Sequence, residues 1–475
     1  MINLIKNEYI KIFSKKGIYI NLLIVFVFAI ITNLATSTSA VQNLSNPVHL
    51  DNELARARLT IAAPDARENQ DYNYHRGLIE EIEPLIKKYG KDSWQIAALI
   101  YSNDFQNHWL PALSHIYNAE VDNTITEDSV EYSKSQIEEQ KIRLTLKWDE
   151  YLQQEIQNNE MAISQYQAMG NQEMVAVFEE FLETNKKRLE EKIIYKNDYL
   201  NLALGEYTNA KIQLKNQKLY KLEPDAIKEQ ERQLKVNEYI IKNKKDINNM
   251  YNNYGLIKNI YMNYGMFLYI IVIMIAGTIM SEEFSKGTIK NLLIRPYSRA
   301  KILTSKLIVS FSMIFIAFIG IVLIQTLVGS FFSGLSSLAT PVVNYDMASG
   351  KLIEMNLFYY SFTELLYRMP EISILLVLSL AIGTITGSTS LAPLLGFGAS
   401  IAGGIINFMA QALKNKIFII SPTIHWDLTP YRFGGTNAYF NNLSLQTSLA
   451  VSLIYIGALI FITYVVFNKK DVKNI

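Results

Sequence analysis

The sequence predicts an all-α fold: a polytopic membrane protein with six transmembrane helices and an α-helical domain inserted between the first two. Three observations carry this expectation. Six apolar runs reach membrane-spanning length, at Ile18 to Leu34, Met262 to Met280, Thr304 to Leu327, Ile372 to Ser388, Leu391 to Ala410 and Thr447 to Phe467. The long polar stretch from Val41 to Asn259 carries apolar residues at helical spacing, with almost no strand signal. Charge divides the same way: 27 Lys+Arg against 35 Asp+Glu lie between Val41 and Ile260, leaving 18 basic and 9 acidic residues elsewhere. An acidic, water-soluble block thus interrupts an apolar, basic remainder, and the 475 residues divide as 1–40, 41–259 and 260–475.

Met1 to Lys16 reads as an amphipathic interfacial helix, with Ile2, Ile5, Tyr9, Ile12 and Phe13 on one face and Lys6, Lys11, Lys15 and Lys16 elsewhere. A Lys-rich start, an apolar run and Ser37-Thr38-Ser39-Ala40 also fit a signal peptide; the expectation is an uncleaved anchor. In the polar block, Leu54 to Asn118 predicts a bundle of short helices holding Trp94 and Trp109. Ser129 to Met169 and Gln172 to Leu222 then predict two long helices, reversed at Gly170-Asn171 into a hairpin with arms of about 60 Å or more. Pro224 ends the second arm, and Ala226 to Tyr254 returns as a helix. Val328 to Glu371 predicts a loop with an interfacial helix near Leu352 to Tyr367. The fifth span contains Gly396, Gly398, Gly403 and Gly404, small residues that allow close helix approach. Residues 411–445 form a second non-spanning segment.

Basic residues cluster on one side of the six spans: at the N-terminus, in the loop 281–299 and at Lys469, Lys470 and Lys473. That asymmetry predicts cytoplasmic N- and C-termini, with the inserted domain on the far side.

Zero cysteines exclude disulfides, thiolate metal sites and cysteine nucleophiles. The five histidines show no ligand spacing, and the near-neutral charge does not fit a nucleic-acid binder. No G-x-x-x-x-G-K-[ST] string occurs, so the chain has no P-loop for nucleotide. No recognisable nucleophile–base set suggests a hydrolase. The central turns of the spans as drawn lack ionisable residues, which leaves ion-coupled transport without machinery. Asn33, Gln325 and Asn407 are polar residues within spans, read as interhelical hydrogen-bonding groups ahead of substrate contacts.

The stretch Glu282-Glu283-Phe284-Ser285-Lys286-Gly287-Thr288-Ile289-Lys290-Asn291-Leu292-Leu293-Ile294-Arg295-Pro296, followed by Ser298-Arg299, resembles the segment between the second and third membrane helices of ABC-2-type ABC transporter permeases. The likeness covers roughly 25 residues; in that family this segment is the coupling helix that docks on the ATPase. The resemblance implies that Glu282, Glu283, Phe284, Ser285, Gly287, Thr288, Lys290, Arg295, Pro296 and Arg299 serve ATPase coupling. It implies a cytoplasmic ABC ATPase dimer as partner, which would bind the ATP and magnesium, and no cofactor in this chain. It also implies a dimeric permease, built with a second copy or a paralogue, among lipids of a bacterial cytoplasmic membrane. Residues 411–445 correspond to helices that re-enter the outer leaflet in that family. The large inserted domain departs from the usual short first outer loop and leaves peptide, toxin, antimicrobial and lipid-like substrates open. The alternative is a non-transporting surface receptor or scaffold of the phage-infection-protein type, which needs no ATPase-docking loop.

Overall fold

The computed structural model describes residues 1–42, 50–68, 70–100, 105, 109–196, 198–217, 221–294 and 296–470. Two compact units emerge: Met1–Thr38 with Ile247–Ile475, and Ser39–Asp246. The chain opens on α1 (Ile2–Phe13) and α2 (Lys16–Gln42). The buried face of α1 is Leu4, Glu8 and Ile12, one turn apart, whereas Ile2 is 81% exposed. The expected face included Ile2 and omitted Leu4 and the carboxylate among its apolar neighbours.

The inserted unit is helical throughout its described residues. It contains α3 (Leu50–Ile61), α4 (Tyr72–Gly77), α5 (Glu83–Tyr89), α6 (Trp94–Ile100) and α7 (Leu110–Asn118), with a π-helical turn at Leu78–Ile82. Leu78, Ile82, Ile96, Leu99, Trp109 and Leu113 are fully buried here, as expected of a short-helix bundle.

Neither long helix of the hairpin is continuous. The first arm breaks into α8 (Glu127–Arg143) and α9 (Trp148–Ala168), the second into α10 (Gln172–Glu190) and α11 (Tyr199–Lys215). The 21 residues of α9 span about 31 Å, half the expected arm. Side chains hold the breaks. Arg188 donates to Ile193 O at 3.0 Å and Asn201 Oδ1 at 2.5 Å and lies 4.0 Å from the Tyr195 ring, tying the end of α10 to residues 193–195 and to the start of α11. The reversal itself is as expected: Gly170 has φ +71°, and Asn171 caps α10 through Met174 N.

Lys211 and Lys215 of α11 reach Glu180 of α10 at 3.1 and 2.8 Å. Burial pushes the Glu180 carboxyl up, but the two lysines hold it below the ordinary glutamate value. A depressed carboxylate stabilises the fold above its unfolded pKa and loses that contribution as pH falls through the folded value. Acidification through the glutamate range is therefore expected to raise hydrogen exchange along α10 and α11. The unit closes with α12 (Pro224–Asn243), Pro224 occupying the first turn where its missing N–H costs nothing.

The chain then rejoins the first unit. The short α13 (Asn253–Lys258) packs on membrane helices, with Tyr254 donating to Ile247 O at 3.1 Å, so the boundary falls at Ile247 and not at Asn259. Next come α14 (Ile260–Ser285), α15 (Ile289–Leu293) and α16 (Arg299–Ser333). Strands β1 (Val342–Asp346) and β2 (Lys351–Met355) form an antiparallel hairpin, Val342 opposite Met355, where a loop was expected. Helix α17 (Leu357–Thr386) starts directly after Asn356, whose side chain caps Phe358 N. It runs unbroken through Pro370 and joins the expected interfacial helix to the fourth span. Helix α18 (Leu391–Leu413), the short α19 (Thr423–Trp426) and α20 (Leu445–Lys469) complete the chain.

Among the described residues six helices are long and apolar enough to cross a membrane: α2 up to Thr36, α14, α16, α17, α18 and α20. They match the six expected spans in order. Helices α14 and α17 form the centre, with Leu268, Val272, Ala276, Leu376, Val377 and Leu380 in the core. Helices α2, α18 and α20 turn most of their apolar side chains outward, as lipid-facing helices do.

Candidate docking segment and the charged cluster behind it

The segment between α14 and α16 is built on a left-handed glycine. Gly287, at φ +68°, lets the chain leave α14 and enter α15 within three residues. Ser298 Oγ accepts from Lys301 N at 3.3 Å and caps α16, as the sequence suggests. One face of the segment is inward: Phe284, Ile289 and Leu292 join the membrane core. The other face is outward: Ser285, Lys286, Thr288, Lys290, Asn291, Pro296 and Ser298 are exposed, and Ile294 is 82% exposed. Arg295 lies outside the described residues.

Behind this face lies a cluster of charges in which Glu8, Glu283 and Lys306 are buried and Lys11 is exposed. Glu283 Oε1 receives Lys11 Nζ at 2.5 Å and Lys306 Nζ at 3.3 Å, and its Oε2 accepts from Thr288 Oγ1 at 2.5 Å. Lys306, fully buried, also donates to Glu8 Oε2 at 2.9 Å and to Ile279 O at 2.9 Å. Two carboxylates and two ammonium groups thus balance, and the three buried ones, Glu8, Glu283 and Lys306, each have directed hydrogen bonds, which is the condition for retaining buried charge. Burial alone would lower the pKa of Lys11, but its bond to Glu283 and the charges of Glu8 and Glu283 raise it. Glu282 pairs with Lys15 at 2.6 Å and Lys286 at 3.3 Å. The N-terminal segment is therefore fastened to the end of α14 by two ion pairs, from Lys11 and Lys15, and to α16 by a third, Glu8 with Lys306, and by a bond from Tyr9 to Ser312 Oγ at 2.5 Å.

Cations also close the helix ends around Phe284. Arg299 donates to Phe467 O, Asn468 O and Lys470 O at 2.9, 3.0 and 2.8 Å, at the C-terminus of α20. Lys470 donates to Thr384 O and Ile385 O at 2.8 and 2.9 Å, at the end of α17, and stands 4.1 Å above the Phe284 ring. Both placements suit the negative end of the helix dipole. Glu282, Glu283, Phe284 and Arg299 are thus bonded within the fold, Thr288 is exposed but bonded to Glu283, and Ser285, Lys290 and Pro296 face outward.

Sequence reasoning missed Glu8 and the central position of Lys306. The available signal was the lone carboxylate of a lysine-rich helix, one turn from Leu4 and from Ile12, and a lysine eight positions into an apolar helix. Asn33 and Gln325 come together: Asn33 donates to Gln325 Oε1 at 3.1 Å, and Gln325 also meets the Tyr264 hydroxyl and Asn253 Oδ1. Asn407 stands apart on α18, half-buried. Among the described residues no cluster of three or more metal-ligating side chains occurs.

Residues 227–473 match a family model described as a protein of unknown function, DUF2705. The chain belongs to the DUF2705 family. Two relatives come from Bacillus subtilis strain 168. The uncharacterized protein YhcI is 29% identical over 209 residues, which cover 42% of this chain and 64% of YhcI. The uncharacterized membrane protein YdbK is 27% identical over 209 residues, covering 43% of this chain and 78% of YdbK. The chain thus spans just under two thirds of the length of YhcI. No solved structure matches. Within this DUF2705 chain the family region runs from α12 to the end of α20 and includes Glu283, Lys306 and the outward segment, while Glu8 and Lys11 precede it.

Proposed function

We propose that this membrane protein is the permease subunit of an ATP-driven exporter of the ABC-2 type, powered by a separate cytoplasmic ATPase dimer. The observation that supports the reading is the outward face of residues 285–294, where Lys286, Lys290 and Ile294 project from a base of ion pairs around the buried Lys306. Such a base transmits a push: force on α15 reaches α1, α14 and α16 through Glu283 and Lys306 without first bending a loop. On this reading the termini are cytoplasmic, the inserted unit lies outside the cell, and the pathway forms with a second copy or a paralogue. The substrate class is a peptide, a toxin or antimicrobial, or a lipid-like molecule, met by the inserted unit.

Burying Ile294 in an apolar hole on the ATPase would contribute about 2–3 kcal/mol. Ile294→Glu is therefore expected to weaken ATPase binding at least tenfold and to abolish co-purification of a magnesium-dependent ATP-hydrolysing chain from native membranes, with the fold intact. The exposed Lys290→Glu should weaken it further in combination. Membranes that yield no such ATPase with the wild-type chain would favour the surface-scaffold reading. Retention by Ile294→Glu would remove residues 285–294 from the interface.

A further inference from the structure

A second group of charges sits in the same unit, on the half of the membrane domain away from the docking segment. The extension of α17 back to Leu357 brings Glu364, Arg368 and Glu371 into a membrane helix. Counting about 20 residues back from Thr386, the length that crosses about 30 Å of hydrocarbon, reaches Tyr367. Glu371 therefore lies within the apolar depth and Glu364 near its edge.

Arg368 faces three carboxylates: Glu364 at 3.6 Å, Glu371 at 3.7 Å and Asp427 at 3.5 Å. All three separations exceed hydrogen-bond length, and Arg368 Nε has no hydrogen-bond partner. Arg432 also faces Glu364 but makes its hydrogen bonds elsewhere; its guanidinium bonds Tyr360 O at 3.0 Å and Thr363 Oγ1 at 2.7 Å and stacks 4.2 Å above the Tyr360 ring. Three acids thus surround one directly paired cation, in contrast to the even balance around Lys306.

Other groups facing the cluster are known by element. From α14 come Tyr269, which faces Glu371, and Tyr261, whose ring lies 5.3 Å from the Arg368 guanidinium. From residues 427–439 come Asp427, Arg432 and Tyr439. Asp427 is committed elsewhere, its Oδ1 accepting from Thr429 N at 2.9 Å and Thr429 Oγ1 at 2.7 Å. Tyr261 is 8% exposed, its hydroxyl has no partner, and the charges facing it are Glu364, Arg368 and Arg432. The Tyr261 hydroxyl and Arg368 Nε are thus two buried polar groups of the same cluster without a hydrogen-bond partner.

We propose that Glu371 is a proton-binding site of the membrane domain, holding one proton at neutral pH. Like charges that share one directly paired counter-ion in a low-dielectric setting cannot all ionise, and Glu371, which lies deeper along α17 than Glu364, takes the proton. The step is a simple transfer: hydronium gives its proton to a carboxylate oxygen of Glu371, an O–H bond forms, and water leaves past Glu364 and Asp427. The reverse step releases Arg368 to pair more closely with the ionised Glu371. This site does not depend on the transport reading above.

Infrared difference spectra of the full chain in lipid nanodiscs test the assignment. At neutral pH the wild type should show the C=O stretch of a protonated carboxyl, shifted by deuterium exchange and lost on going alkaline. Glu371→Gln should remove that band and Glu364→Gln should keep it. Glu371→Asp retains a carboxyl and should move the band, which keeps the assignment decidable if Glu371→Gln does not fold. A neutral-pH spectrum without the band overturns the proposal, as does a band that survives Glu371→Gln or disappears only in Glu364→Gln.

Discussion

Lys306→Met is expected to lower the unfolding free energy of the membrane unit by about 3–5 kcal/mol, the cost of removing one partner from a buried ion pair. Methionine fills nearly the same volume, so a cavity contributes little and charge decides the outcome. Without the ammonium, Glu283 keeps Lys11 and Thr288, but Glu8 is left with only Lys11 at 3.6 Å. One carboxylate must then take a proton, and protonating an ordinary glutamate at neutral pH costs about 3–4 kcal/mol. The two estimates agree. They also fix the sign with pH: the penalty should shrink as pH falls towards the glutamate range, because the proton is then supplied at lower cost. Lys301→Met, five residues away and exposed, should stay within about 0.5 kcal/mol of wild type. Glu8→Gln combined with Lys306→Met should recover much of the loss. Denaturant unfolding in detergent micelles reads all three. If Lys306→Met proves as mild as Lys301→Met, the cluster is hydrated and cannot serve as a stiff base for the docking segment.

What the sequence made legible divides by the range of the interaction. The six spans are read from composition, because each must satisfy its backbone within itself and cover itself with apolar side chains. The hairpin reversal at Gly170-Asn171 and the cap at Ser298 are equally local. The arms were misjudged because the apolar stripe continues across 144–147 and 191–198, whereas the breaks depend on where Arg143 and Arg188 find partners. The hairpin at Val342–Met355 and the early start of α17 were hidden by short mixed stretches and by Glu364, Arg368, Pro370 and Glu371, which depress hydropathy across a helix that tertiary partners tolerate. The string from Glu282 to Pro296 carried a family resemblance, but its inward and outward faces were not legible. Whether Phe284 points to a partner or to Phe467 depends on chain 183 residues away, and no local pattern encodes it.

The glycines show the same limit and carry the second large effect. Gly383 of α17 lies against the carbonyl of Gly277 on α14, and Gly277 in turn meets the ring of Pro393 on α18. A methyl group on Gly383 would fall inside contact distance of a main-chain oxygen, which no rotamer change relieves. Gly383→Ala must therefore separate the two central helices by several tenths of an ångström, at a cost of about 2–3 kcal/mol, against a gain of up to about 1 kcal/mol in helix propensity. The displacement should also loosen Phe284 and Lys470, seated at the same ends of α14 and α17, so ATPase binding should weaken along with stability. On α18, Gly396 and Gly403 abut Ser379 and Trp426, as close packing requires, whereas Gly398 and Gly404 have nothing within 4 Å of an added methyl. Gly398→Ala should thus be neutral or stabilising by up to about 1 kcal/mol. Thermal unfolding of the pair separates the explanations: equal effects would mean that α18 and α17 tolerate side chains alike and that the α14–α17 contact does not set the position of the docking segment.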